Sequence, residues 1–169
     1  MKPLIYPVSF LGAGQLSVMA RPPGDPDLEK ALRGLKRQAV DHVVSLLERE
    51  EAEDLGLADE GRLCGRLGLG FTRFPITDFG VPPHRDNVIG LVETLYDEIT
   101  SGAHVVVHCR AGIGRSGLLA CALLVRDGMS PAAAMHQASF ARGVPVPQTG
   151  EQVAWVESLG GRGGETGND

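Results

Sequence analysis

With 169 residues, the chain has the length of one domain with a sizeable hydrophobic core. Its 16 Lys and Arg against 21 Asp and Glu give a formal net charge of −5, which argues against a dedicated nucleic-acid or anionic-membrane surface. Hydrophobic residues make up 43% and charged residues 22%, the balance of a globular protein, and three cysteines are too few for a disulfide framework or a zinc site.

Residues 4–10 and 16–20 read as two short strands joined by a turn at Gly12 and Gly14. Pro3 and Pro7 break up the first apolar stretch, which makes a poor signal peptide and is too short to span a bilayer, so a cytoplasmic enzyme is expected. Asp25 or Asp27 can cap a helix over residues 28–38, with Leu28, Ala31, Leu32 and Leu35 on one face. The β-branched run 42–47 is typical of a buried strand, and an acidic helix over 48–55 and a second short helix over 59–67 follow. Residues 70–76 read as another strand that runs into a polar loop, 77–83. Val88, Leu91, Val92, Leu95, Tyr96 and Ile99 predict a helix over 84–101, with Gly102 as its stop. Val105, Val106 and Val107 form the most buried-looking strand, and helices are expected over 116–126, over 131–141 with Ser130 as cap, and over 149–159. This alternation implies an α/β fold, a central and mainly parallel sheet flanked by helices in a single domain over 1–159. The glycine-rich polar tail, 160–169, is expected to be disordered.

The segment His108-Cys109-Arg110-Ala111-Gly112-Ile113-Gly114-Arg115-Ser116-Gly117 follows that last strand and opens a helix. A thiol has a pKa of roughly 8.5, so at neutral pH it is mostly protonated and weakly nucleophilic. Free N–H groups and the positive dipole end at a helix N-terminus favour the thiolate of Cys109. Gly112 and Gly114 let the loop curl so that N–H groups of Arg110, Ala111, Gly112, Ile113 and Gly114 can face an anion such as phosphate, sulfate or vanadate. The planar fork of Arg115 can hold two phosphoryl oxygens, and Ser116 can donate its hydroxyl to the Cys109 sulfur, improving it as a leaving group. Neither Cys64 nor Cys121 has an arginine in the corresponding position; Gly70 and Asp127 stand there.

The decapeptide resembles the signature of the cysteine-dependent protein tyrosine phosphatase superfamily, and most closely its small dual-specificity branch, which includes Cdc14-like and kinase-associated phosphatases. The resemblance extends over residues 16–159. It implies phosphomonoester hydrolysis on a phosphorylated protein or peptide through a cysteinyl-phosphate intermediate, with no metal and no cofactor. The loop around Asp78, in Phe74-Pro75-Ile76-Thr77-Asp78-Phe79-Gly80-Val81-Pro82-Pro83, resembles the general-acid loop of that branch, although it lacks the Trp-Pro-Asp of the larger tyrosine phosphatases. By that match Asp78 protonates the leaving oxygen and then deprotonates the hydrolytic water; Asp86 is the runner-up. Gln148-Thr149-Gly150-Glu151-Gln152 resembles a water-positioning loop, with Gln148 in the more important place.

His108 should point away from the cradle, because neighbours on a strand alternate, and in the resembled family it supports the loop and tunes the thiolate. His42, His84, His104 and His136 show no metal-ligand spacing. Cys64 or Cys121 could form a protective disulfide with Cys109 under oxidation, though Cys121 is expected to be buried and inert. Two alternatives stand beside the phosphatase: a pseudophosphatase that binds phosphorylated partners, and a rhodanese-like sulfurtransferase. The latter has no need of Asp78 or Gln148. Ile113 at an inner loop position, where phosphoinositide-directed relatives tend to carry basic residues, favours protein substrates, and an RNA 5′-phosphatase fits poorly with the acidic balance.

Overall fold

The structure is a computed structural model that describes residues 1–160, so the tail read from the sequence as disordered lies outside the described residues from 161 onward. β1 (Tyr6–Leu11) and β2 (Gly14–Met19) form an antiparallel hairpin. α1 (Leu28–Arg37), β3 (His42–Ser45), α2 (Arg49–Asp54), α3 (Glu60–Arg66) and β4 (Gly70–Arg73) follow. Next come α4 (Arg85–Thr100), β5 (His104–His108), α5 (Arg115–Arg126), α6 (Pro131–Arg142) and α7 (Gly150–Ser158). The sheet order is β1-β2-β5-β3-β4, and every pairing except β1 with β2 is parallel.

The alternation of side chains along the parallel strands builds two cores on opposite faces of the sheet. Val105 and Val107 of β5 and Val44 of β3 join α4, α5, α6 and α7 on one face. Val106 and Val43 join Leu28, Leu32 and Leu35 of α1, Ala52 of α2 and Leu63 of α3 on the other. α5 is buried at every position from Arg115 to Leu124, because the sheet, α4, α6 and α7 surround it.

The strands end earlier than their apolar runs. β3 stops at Ser45 rather than at 47, and β4 at Arg73 rather than at 76. The bonds Phe74 N to Ser45 O (2.9 Å) and Ile76 N to Leu46 O (3.0 Å) carry the pairing past the strand ends and bring the two chains together beside the carboxyl end of β5. Asp27 does occupy the cap position of α1, but its side chain makes no cap bond. Ser130 accepts from Ala133 N, as a cap should. With β5 at the centre, its carboxyl end is where an open parallel sheet of this kind presents a ligand site.

Candidate active site

β5 ends at His108, and Cys109 begins the loop that turns into α5. Gly112 sits at φ +74°, and a Cβ there would lie 2.6 Å from the Met19 carbonyl carbon, so only glycine lets the loop close against the end of β2. On the outer side of the loop three successive carbonyls are held: Arg21 N donates to Arg110 O at 3.1 Å, and the Arg142 guanidinium donates to Ala111 O and Gly112 O at 3.0 Å each. The same guanidinium lies 4.0 Å above the Tyr6 ring. With its carbonyls fastened outward, the loop keeps N–H groups for the inside.

Cys109 is 3% exposed, and its Sγ lies 3.3 Å from Ser116 Oγ. Burial acts to raise this thiol. The Ser116 hydroxyl, the backbone N–H groups of Ser116 and Gly112, and the Arg115 charge outweigh burial and bring it below the ordinary thiol range. Burial instead pushes Cys64 and Cys121 up to about 12, and all three cysteines are free thiols. Neither Cys64 nor Cys121 has the thiolate character on which easy oxidation depends.

Arg115 is held on several sides. Nη1 donates to Glu51 Oε2 at 2.8 Å and to Ile76 O at 2.9 Å, while Nη2 meets Glu51 Oε1 at 2.8 Å and Asp78 Oδ1 at 3.1 Å. Its Nε is buried and has no partner among the described residues. The forked hydrogen bond from Arg115 holds the Glu51 carboxyl below the usual carboxylate range.

Asp78 lies in the loop after β4, where its Oδ1 also accepts from Phe79 N at 3.0 Å. Phe79 takes φ +62°, unusual for a bulky residue, and is 57% exposed at the rim. Gln152 ties this loop to the one before α7. Its Nε2 donates to Gly80 O at 3.0 Å, and its Oε1 accepts from Gln148 N and Thr149 N at 3.1 Å each. The Gln152 amide is therefore occupied by the scaffold, which leaves Gln148 as the exposed amide of the pair.

Of the residues singled out by sequence, Cys109, Arg110, Ala111, Gly114, Arg115, Asp78 and Gln148 line one pocket of about 90 Å³, together with Phe79. Ser116 lies behind the sulfur, Gly112 reaches it through its backbone, and Ile113 packs its side chain on the hydrophobic core. Asp86 sits exposed in the first turn of α4 and takes no part in that pocket. Glu51, Glu60 and Arg142 were not singled out. Glu51 and Glu60 stand in acidic stretches where nothing in residue type separates them from their neighbours, and Arg142 lies far along the chain from the loop it grips. Among the described residues no group of three or more His, Cys, Asp or Glu could hold a metal ion, and no helix is long and apolar enough to cross a membrane.

A family model described as "Tc-R-P: Polymorphic toxin system, DSP-PTPase phosphatase" matches residues 18–129. A tyrosine phosphatase homologue of Invertebrate iridescent virus 3 is 36% identical over 73 residues, 41% of this chain and 30% of the relative. Cyclin-dependent kinase inhibitor 3 of Mus musculus is 28% identical over 138 residues, 79% of this chain and 63% of the relative. The chain thus spans about a third of the length of the viral relative it matches. Among solved structures, a kinase-associated phosphatase with its catalytic cysteine replaced by serine superposes with a TM-score of 0.87 at 22% identity, covering 96% of each chain. Tk-PTP in its active form superposes with a TM-score of 0.77 at 24% identity, covering 96% of this chain and 99% of its own. At these identities the two structures show a shared fold.

Proposed function

This chain belongs to the DSP-PTPase phosphatase family, and on that footing we propose that it is a cysteine-dependent protein phosphatase, of tyrosine or dual specificity. The observation that carries the reading is the convergence of a thiol lowered below its ordinary range, a fully buried arginine fork and a carboxylate on one small pocket.

In the first step the Cys109 thiolate attacks phosphorus while Arg115 and the inward N–H groups hold the equatorial oxygens, where charge spreads in the transition state. Asp78, in its protonated form, gives its proton to the departing ester oxygen, so the alcohol or phenol leaves neutral. A cysteinyl phosphate remains. In the second step Gln148 orients a water, Asp78 takes back a proton from it, and the P–S bond breaks with the electron pair returning to sulfur, where Ser116 donates its hydroxyl. Inorganic phosphate is released and the thiolate is restored. Glu51 and Ile76 O hold the Nη end of the Arg115 guanidinium and fix its plane, leaving the buried Nε edge without a partner among the described residues and open to a phosphoryl oxygen.

The substrate class proposed is a phosphorylated protein or peptide, met in the cytoplasm. Phe79 supplies an apolar wall beside the sulfur, which suits the ring of an aryl phosphate. The pseudophosphatase and sulfurtransferase alternatives are not favoured by the family assignment. The deciding experiment measures turnover of p-nitrophenyl phosphate and of a panel of pTyr, pSer and pThr peptides, with a phosphoinositide included, by wild type and Cys109→Ser. Turnover is expected in the wild type and none above background in the variant, which should still bind vanadate. Appreciable hydrolysis by Cys109→Ser would remove Cys109 from the mechanism.

A further inference from the structure

Behind the nucleophile lies a second buried pair that the proposed chemistry does not use. His108 and Glu60 have side chains with 0% exposure, and His108 Nε2 lies 2.6 Å from Glu60 Oε1. The other ring nitrogen, Nδ1, lies 3.1 Å from the carbonyl oxygen of Cys109. A carbonyl can only accept, so Nδ1 must carry a hydrogen. Nε2 faces a carboxylate oxygen at a distance short even for a charge-assisted bond, which places a proton between ring and carboxylate. The second carboxylate oxygen, Glu60 Oε2, is buried without a partner among the described residues, so the imidazole is the group this carboxylate is bound to.

We infer that Glu60 is a positioning residue for the nucleophile, keeping His108 doubly protonated so that a buried positive charge stands directly behind Cys109 while the ring grips the Cys109 carbonyl. This deepens the nucleophilic reading of Cys109 and rests on it. Burial works against a charged His108, yet Glu60, the Cys109 carbonyl and the Cys109 charge together raise it above its ordinary value, in keeping with that arrangement. The titratable groups facing the ring are Glu60 of α3 and the Cys109 thiol. Cys64, one turn further along α3, feels the same carboxylate, and Arg115 of α5 faces the thiol. Position decides the electrostatic sign. The ring meets the Cys109 carbonyl through Nδ1 and interacts with the Cys109 charge, while the carboxylate is bound to its far nitrogen, so losing the nearer positive charge outweighs losing the farther negative one.

The test follows iodoacetamide alkylation of Cys109 against pH by peptide mass, in wild type and in Glu60→Gln, each confirmed folded by circular dichroism. Glu60→Gln takes away the carboxylate bound to the ring, so the alkylation midpoint should rise by about one pH unit or more. Added to His108→Asn, Glu60→Gln should cause no further rise. An unchanged midpoint would reduce Glu60 to a scaffold residue, and a fall would show that its own negative charge, acting directly on the sulfur, dominates; either result overturns the inference. Imidazole nitrogen NMR of the wild-type protein at about pH 7.5, where an ordinary histidine is mostly neutral, needs no variant. Protons on both nitrogens of His108 are expected, and a neutral ring refutes the proposal. Alkylation reads the thiol itself, so a failure of phosphatase turnover would leave this result distinguishable.

Discussion

Two aspects of the site turn on single groups. Cys109 differs from Cys64 and Cys121 in its surroundings: all three are buried, but only Cys109 has a hydroxyl, backbone N–H groups and a cation directed at its sulfur. Asp78 contacts the Arg115 cation and the Phe79 amide, so its carboxyl group already lies beside the guanidinium. If it serves as general acid, Asp78→Ala should lower kcat by about 10²–10⁴-fold for alkyl phosphates, whose leaving groups need a proton. The loss for p-nitrophenyl phosphate should be much smaller, because that leaving group departs as a stable anion. Steady-state kinetics with both substrates read the difference, and an equal loss for both would make Asp78 a structural residue.

At the scale of elements, the functional loops depend on their neighbours for shape. The loop of Cys109 is closed by β2 on one side and by Arg142 of α6 on another. The loops of Asp78 and Gln148 are joined through the Gln152 amide, which also completes the capping box of α7 with Thr149. Removing that amide by Gln152→Ala leaves three partly buried backbone groups without this partner and should cost about 1 kcal/mol of stability, measured by urea unfolding. It should also lower kcat, since the two loops lose their common tether; a change in stability with kcat intact would show that the tether is not needed for turnover. Most of these elements could be read from the chain: the apolar spacing of α4 and α5 and the valine run of β5 leave little choice of structure. The ends of β3 and β4 were less legible, because buried hydrophobic residues and isolated hydrogen bonds, such as Ile76 N to Leu46 O, continue past the last regular ladder pair.

Across the whole molecule, the sheet separates two cores, and the site draws on both. The thiol and Val107 belong to the α4–α7 side, whereas His108 turns, by strand alternation, toward α3 and Glu60. This gives the fold two pH dependences of opposite sign. A histidine raised in the folded state contributes stability that is fully present below its unfolded value near roughly 6.5 and is lost as pH rises through the folded value. The lowered thiol of Cys109 acts in the opposite sense: its contribution is present above the unfolded thiol value and lost as pH falls through the folded one. Cys109→Ser removes the second effect. Its melting temperature should then fall as pH rises from about 6.5, and the fall should flatten when Glu60→Gln is added. A slope that persists in the double variant would place its origin elsewhere.

That Cys109, Arg115 and the glycines between them form one loop was legible in residue order because they are contiguous, and a loop of ten residues at a strand-to-helix junction builds most of its own geometry. Asp78 and Gln148 could be named from their local loops through a family resemblance, but nothing local says that their side chains share a pocket with Cys109. Glu51, Glu60 and Arg142 were not legible at all. Acidic residues are common in α2 and α3, and which of them meets Arg115, which meets His108 and which faces water depends on how helices remote in sequence pack over the sheet. Burial makes that selection: it limits the competing water and turns two ordinary glutamates into fixed partners of the residues that flank the Cys109 loop.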